Sequence, residues 1–491
     1  PSQHRDLAAR LLADCLGASF RMPMKIPIEY GDGKMMIDLP DDTVVVGPRR
    51  AQDAPLRDPS EEIKAALQKP LGSERIVDMV KKGSKVTIAF PDKVKGGPFH
   101  RRLAIPLTLD ELKRAGVSMK DVTLLCTNGL HRKNSKEEIA GYLGQDLVDQ
   151  FWPERLLCHD AENPNCMVHI GTSDPFGDPV DTNRLVVESD LVVLLGHALP
   201  NHYGGFSGGY KGMATGTGSW RSIAAHHSPD TIAKPDLLPV SPHSTMRRQF
   251  EAQGKAIVNA ARGNIFCLDA VLNERNEVVG EFAGSIDCVQ EESWKLSRKV
   301  HKVELPRKVD VVVVGLPREF HYGPGMGTNP ILILNALGGL TARLYPCLNE
   351  HAIVIAASIC DGWFNDEYFP SYREVYEIYQ QCCIPSELAR YQEHVATNCE
   401  YVTRYRYRYA YHPFHAFSMM FFGEIALRHT GRIFIAGARE PGTARAMGLT
   451  PMKNFETAWL ESTKILGKEP SVLALPSYFL QVAPLFAYAH K

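Results

Sequence analysis

The sequence contains no Cys-x-x-Cys pair, and its 11 cysteines are an odd number scattered along the chain. This spacing excludes a zinc-ribbon site and a disulfide framework, and is expected of reduced, mostly buried thiols. No apolar run approaches the roughly 20 residues of a membrane-spanning helix, and the first residues, Pro1-Ser2-Gln3-His4-Arg5-Asp6, are polar. A cytoplasmic protein is expected, neither exported nor inserted in a membrane. Charge of one sign is also missing: 55 Lys+Arg stand against 56 Asp+Glu, a net charge of -1. Nothing in that balance draws the chain to nucleic acid or a lipid surface, so the expected partner is a small molecule. Repeats at solenoid periods and long low-complexity segments are absent as well.

Two nucleotide fingerprints are approached and missed. Gly204-Gly205-Phe206-Ser207-Gly208-Gly209-Tyr210-Lys211 is rich in glycine, but a P-loop places lysine directly after its last glycine and Ser or Thr after the lysine. Here Tyr210 intervenes and Gly212 follows. Gly323-Pro324-Gly325-Met326-Gly327 likewise lacks the G-x-G-x-x-G spacing of dinucleotide-binding turns.

What the chain does have is a series of short apolar runs rich in β-branched residues. They are 86–90, 122–126, 191–195, 311–314, 353–356, 433–436 and 472–475. Runs apolar on both faces belong to parallel strands covered by helices, so the expected class is α/β. At 491 residues the chain exceeds one ordinary core. We expect two domains with largely parallel sheets, residues 1–303 and 304–475, a tail of 476–491 that returns toward the first domain, and an active site in the interdomain cleft. Asp92, His131, His197, His202 and Arg318 lie just past strand ends, where such sheets bind ligands.

The stretch Arg404-Tyr405-Arg406-Tyr407-Arg408-Tyr409-Ala410-Tyr411 interleaves cations with aromatic rings, as single-strand nucleic-acid binders do. In a neutral chain with one such segment, period-two alternation is better read as an amphipathic strand.

The chemical capability is concentrated between Pro200 and His227. Glycines at 204, 205, 208 and 209 allow backbone N–H groups to approach an anion, and Ser207 sits among them. Lys211 beside that turn is a charge or a nucleophilic amine; a lone lysine is more often simply solvated. His226 and His227 fall on a helix starting near Ser219, about 100° apart, so that one of them faces a given site. One imidazole alone is too few donors for a tight metal site. Asp92 offers a carboxylate to hydroxyl groups, and His131 offers a proton carrier near neutral pH.

These residues resemble the nickel-pincer nucleotide-dependent lactate racemase family. The similarity runs through Tyr30-Gly31-Asp32-Gly33-Lys34, Leu39-Pro40-Asp41, the Asp92 loop, Asn128-Gly129-Leu130-His131-Arg132, Cys158-His159-Asp160, Gly205-Phe206-Ser207-Gly208-Gly209-Tyr210-Lys211 and His227, ending at Leu473-Ala474-Leu475-Pro476. The resemblance implies a racemase or epimerase of a 2-hydroxyacid, an isomerase working by proton-coupled hydride transfer. It implies Lys211 as the tether of the nucleotide, His227 as the protein ligand to nickel, and Asp92, Ser207, Gly208 and Gly209 around the cofactor. It also implies His131 and His202 as the paired proton carriers, with cofactor-biosynthesis proteins as partners. Three departures stand out. Asn201 holds the family's histidine place and His202 follows it, Lys95 stands where an arginine is usual, and Arg318-Glu319-Phe320-His321-Tyr322-Gly323-Pro324 replaces a Tyr-Gln-x-x-Lys segment. Lys95, Arg318 and His321 are the candidates for the substrate carboxylate. The alternatives are a cofactor- or sugar-acid-binding protein without turnover, and a nicotinamide-dependent 2-hydroxyacid dehydrogenase.

Overall fold

In the computed structural model, residues 24–47, 58–95, 98–467 and 469–488 are described. All seven apolar runs are strands; 86–90, 122–126 and 472–475 coincide with theirs, and the other four lie within longer strands. Val86–Phe90, Leu191–His197 and Val309–Pro317 are buried along their whole length, which is why they carry no polar face.

The first sheet has six strands in the order Val278–Gly284, Asn264–Leu272, Leu191–His197, Val86–Phe90, Val122–Cys126, Leu156–Cys158. Its pairings are parallel except that of Val278–Gly284 with Asn264–Leu272, which is antiparallel. The second sheet has eight strands built around Val309–Pro317, with Leu348–Ala357 and Val472–Leu475 parallel on its flanks. The class is therefore α/β, as expected.

The sheets divide the chain differently from the expected 1–303 and 304–475. Met24–Gly31 and Gly33–Leu39 form an antiparallel hairpin that joins the second sheet through Val309–Pro317, and Val44–Val45 pairs with Val472–Leu475. The apolar residues Ile28, Ile37 and Leu39 are buried in the second sheet's core with Val311, Val313 and Phe434, so hydrophobic burial ties the start of the chain to its second half. The segment after Leu475 returns to the other side. Leu485–Tyr488 runs parallel to Lys302–Leu305, and Val482 N–H donates to the carbonyl of Glu274.

Two helices of the second half are buried almost all round. Pro330–Leu344 is buried at every position, and its start is capped by the Asn329 side chain, which accepts from the N–H groups of Ile331 and Leu332. His415–His429 is buried from His415 through Ala426. The Arg-Tyr stretch is not a strand: the helix Cys399–Tyr407 covers its first half, and the rest is irregular. Its tyrosines do not share one face, since Tyr405 is buried while Tyr407 and Tyr409 are exposed. Tertiary burial of Tyr405, whose hydroxyl donates to the carbonyl of Gly129, outweighs the short alternating pattern. The ten cysteines among the described residues are all thiols, and no described helix is long and apolar enough to cross a membrane.

Candidate active site

A cavity of about 540 Å³ is lined by residues that follow strands of the first sheet and by residues of the second half. His131, His202, Ser207, Gly208, Gly209, Lys211, His227 and His321 all reach it. Its size suits a cofactor with a small substrate.

His131 follows the strand Val122–Cys126, in a turn closed by its own N–H donating to the carbonyl of Asn128. Its Nδ1 donates to Oδ2 of Asp92 at 2.7 Å. This fixes the proton on Nδ1 and leaves Nε2 as the working nitrogen. Asp92 is fully buried and does not line the cavity. It stands behind His131, with its Oδ2 taken by the imidazole and its backbone carbonyl by Arg101. On its other sides His131 meets the rings of Tyr322, Tyr411 and His415 at 5.4–5.7 Å between centroids. Burial pushes the Tyr322 and Tyr411 phenols up, so both stay neutral.

His202 occupies a separate aromatic cluster, 4.7 Å from the Tyr203 ring and 4.6 Å from that of Phe422. A methyl group placed on Gly339 of the Pro330–Leu344 helix would stand 3.0 Å from its Cε1. Lys211 is 6 % exposed. Its Nζ donates to Asn201 Oδ1 at 2.9 Å and to the carbonyl of Tyr203 at 2.8 Å, and lies 5.2 Å from the centre of the Phe250 ring. Asn201, which displaces the expected histidine, thus holds the amine.

His226 ends the helix Trp220–His226, capped at its start by Ser219, and His227 is the C-cap. The two imidazoles converge instead of diverging by 100°: their Nδ1 atoms are 2.6 Å apart. The reason is that His227 has left helical geometry, at φ -104° and ψ 18°. Burial pulls the pKa of His226 down to about 3, with the charge of Lys211 adding to the effect. His226 is therefore a neutral partner to His227, whose ring stacks on Tyr203 at 4.7 Å.

The glycine turn does something other than present its N–H groups to an anion. Gly209 N–H donates to Asp269 Oδ2, Tyr210 N–H to Gln290 Oε1, and Ser207 N–H to the carbonyl of Leu199. Gly208 and Gly209 have φ of 78° and 53°, and a Cβ on either would fall 2.2–2.3 Å from the Asp269 or Gln290 side chain. The glycines are needed for that approach and for the left-handed backbone. Asp269 is fully buried, and burial pushes its carboxyl up to about 7.

Of the three residues considered for a substrate carboxylate, His321 lines the cavity, at φ 32°, with its ring against Tyr322. Arg318 does not reach it, because its guanidinium grips Asp32 through two hydrogen bonds of 2.7 and 2.8 Å and pairs with Asp361. Lys95 ends the 3-10 turn Lys93–Lys95, and its side chain lies outside the described residues. Tyr322, Arg343, His415 and Tyr478 also line the cavity, with no individual role assigned to them from the sequence. His415 had a signal, since it opens an apolar helix just after a His-Pro pair; Arg343 and Tyr478 had none. Among the described residues no three His, Cys, Asp or Glu side chains converge as a metal site.

A model of the lactate racemase N-terminal domain matches residues 30–237. The lactate racemase of Thermoanaerobacterium thermosaccharolyticum is 29 % identical over 353 residues, covering 71 % of this chain and 78 % of the relative. That of Lactiplantibacillus plantarum is 27 % identical over 317 residues, covering 64 % and 70 %. Among solved structures, the lactate racemase apoprotein from T. thermosaccharolyticum superposes with a TM-score of 0.70 at 21 % identity, over 95 % of this chain and all of that one. A Thermotoga maritima protein superposes with a TM-score of 0.57 at 17 % identity, over 89 % of this chain and all of that one. The domain match, the two curated relatives and the shared fold agree: residues 30–237 match the lactate racemase N-terminal domain, and the chain as a whole is similar to the lactate racemases.

Proposed function

We propose that this protein is a cytoplasmic racemase or epimerase of a 2-hydroxyacid, with the described cavity as its active site in a cleft between two α/β units. The first unit is centred on the six-stranded sheet; the second spans 304–475 together with the hairpin and short strand at 24–45. The observation that carries the reading is the meeting, in one cavity, of His131 backed by Asp92, a desolvated Lys211 and His227.

The residues fit a nickel-pincer nucleotide delivered by cofactor-biosynthesis proteins. Lys211 offers a buried amine for a covalent tether, and His227 offers one imidazole, which suffices where an organic cofactor brings the remaining metal donors. When bound, such a group supplies an acceptor and donor of hydride for the substrate carbon. The chain's own part is proton handling and orientation. His131 Nε2 takes the hydroxyl proton on one face of the substrate while Asp92 stabilises the imidazolium that forms. His202, in its own aromatic cluster, serves the opposite face, because inversion requires a proton carrier on each side. Tyr322, His321 and His415 close the cavity beside His131 and exclude water there. The replacements at Asn201, Lys95 and 318–324 point to a 2-hydroxyacid other than lactate.

Intact mass and nickel content of protein co-produced with the cofactor-making enzymes test the tether and the metal together. We expect a mass increase that Lys211→Ala abolishes, and nickel retention that His227→Ala abolishes. Absence of both in the unaltered protein contradicts the assignment. His131→Ala is expected to keep the cofactor and lose turnover; unchanged turnover excludes His131 as the proton carrier.

A further inference from the structure

Among the described residues, the arginines at 101, 132, 247 and 343 are buried, and of these Arg343 lines the cavity. It sits in the last turn of the Pro330–Leu344 helix and is 7 % exposed. Its Nη2 donates to the carbonyl of Pro200 at 2.9 Å, while Nη1 is buried without a hydrogen-bond partner. A carbonyl satisfies one donor but does not neutralise a guanidinium, and a buried cation without a counter-charge is costly. Beside it stands Tyr478, 4 % exposed, whose hydroxyl is likewise buried without a partner and which lines the same cavity. Burial pulls Arg343 down and Tyr478 up to about 12, and the coupling between the two groups partly offsets each shift. At neutral pH the pair is thus a guanidinium and a neutral phenol, two donors with no acceptor.

The rest of the cavity sharpens what they await. The N–H groups of Ser207, Gly209 and Tyr210 are spent on Leu199, Asp269 and Gln290. Lys211 is held by Asn201 and Tyr203. An anionic ligand entering here finds its unspent charge at Arg343. The position is close to His202: Arg343 grips the carbonyl two residues before it, and Gly339, one helical turn earlier than Arg343, packs on its ring.

We propose that Arg343 and Tyr478 form an oxyanion subsite that receives the carboxylate or phosphate oxygens of the molecule bound in this cavity. Guanidinium Nη1 and the phenolic hydroxyl each donate to an oxygen, a charge-assisted arrangement that also relieves the buried cation. The identity of the ligand rests on the racemase reading; the charge it must carry does not. Two sources share the chemistry, the carboxylate of a 2-hydroxyacid and the phosphate of a mononucleotide.

Isothermal titration of the cofactor-free full chain with inorganic phosphate, and separately with racemic malate, tests the subsite without requiring turnover. We expect at least one of them to bind, and Arg343→Gln to weaken that binding about 10- to 100-fold, the cost of losing a charge-assisted bond. Tyr478→Phe is expected to weaken it about threefold to tenfold. Arg373→Gln, an exposed arginine paired with Asp366, leaves it unchanged. Sensitivity of phosphate alone assigns the subsite to the nucleotide; sensitivity of malate alone assigns it to the substrate; competition between them assigns a shared site. Should Arg343→Gln not fold, Arg343→Lys and Tyr478→Phe carry the test. No binding of either anion, or binding that these variants leave unaltered, overturns the proposal. Because the readout is anion binding, a failure of racemisation leaves it standing, and the reverse also holds.

Discussion

The two walls of the cavity treat polar groups in opposite ways. On the glycine-turn wall the N–H groups of Ser207, Gly209 and Tyr210 are consumed inside the protein, by Leu199, Asp269 and Gln290. On the wall contributed by the second half of the chain, Arg343 Nη1 and Tyr478 Oη are buried and unspent. The difference separates architecture from recognition. A donor satisfied internally contributes to holding the loop in place, whereas a donor buried with no acceptor is tolerated only where something else offsets its cost. The glycine turn is thus the frame that sets Lys211 at the cavity, and the wall from the second half carries the unpaired charge.

The largest effect that would break this comparison comes from the frame. Gly209→Ala forces a Cβ into the Gln290 side chain on a left-handed backbone, and we expect a loss of about 3 kcal/mol or more in urea unfolding. A loss below about 0.5 kcal/mol would mean that the turn is not clamped from behind.

The pH dependence of stability comes next, and it has two parts of opposite sign. The Asp269 carboxyl is raised by burial to about 7 from 3.8. The folded state holds its proton more tightly, so this group's stabilisation is full below pH 4 and lost as pH rises through 7. Asp269→Asn should flatten the decline in melting temperature between pH 5 and 8 (~1 pH unit around the titration midpoints). His159 is pulled by burial down to about 4 from 6.5 and accepts at Nδ1 from Asn183. Its neutral form contributes stability above pH 6.5 that is lost as pH falls through 4, and His159→Gln should soften the acid limb. A pH profile unchanged in both variants contradicts these assignments.

The smallest effect is expected outside the walls. Arg318→Gln breaks a partly exposed pair with Asp32, and about 1 kcal/mol or less is expected in the same unfolding assay, with turnover retained. A large loss of substrate affinity in that variant would restore Arg318 as a cavity residue and blur the distinction between walls.

Much of the frame was legible in the sequence. The seven apolar runs announced parallel strands because both faces of each are buried, and Ser219 announced its helix through a capping side chain. The hairpin Met24–Leu39 was missed because its alternating polar residues carry no mark of which sheet it joins, and Asn264–Leu272 because Asp269 interrupts its apolar run. The residues that announce themselves by reactive chemistry, His131, Lys211 and His227, all line one cavity. The bond of Asp92 to His131 was not legible, since the two lie 39 residues apart and only tertiary structure joins them. Arg343 was invisible: in sequence it is an ordinary arginine at the end of an apolar helix, and its meaning lies in what does not surround it.

The central claim is most directly tested by chiral analysis of a 2-hydroxyacid panel, single enantiomers incubated with protein co-produced with the cofactor-making enzymes and shown to hold nickel. The account predicts that at least one acid is converted to a mixture of configurations at C2, and that His131→Ala abolishes this while retaining nickel. Nickel-loaded protein that leaves every enantiomer in the panel unchanged would contradict it.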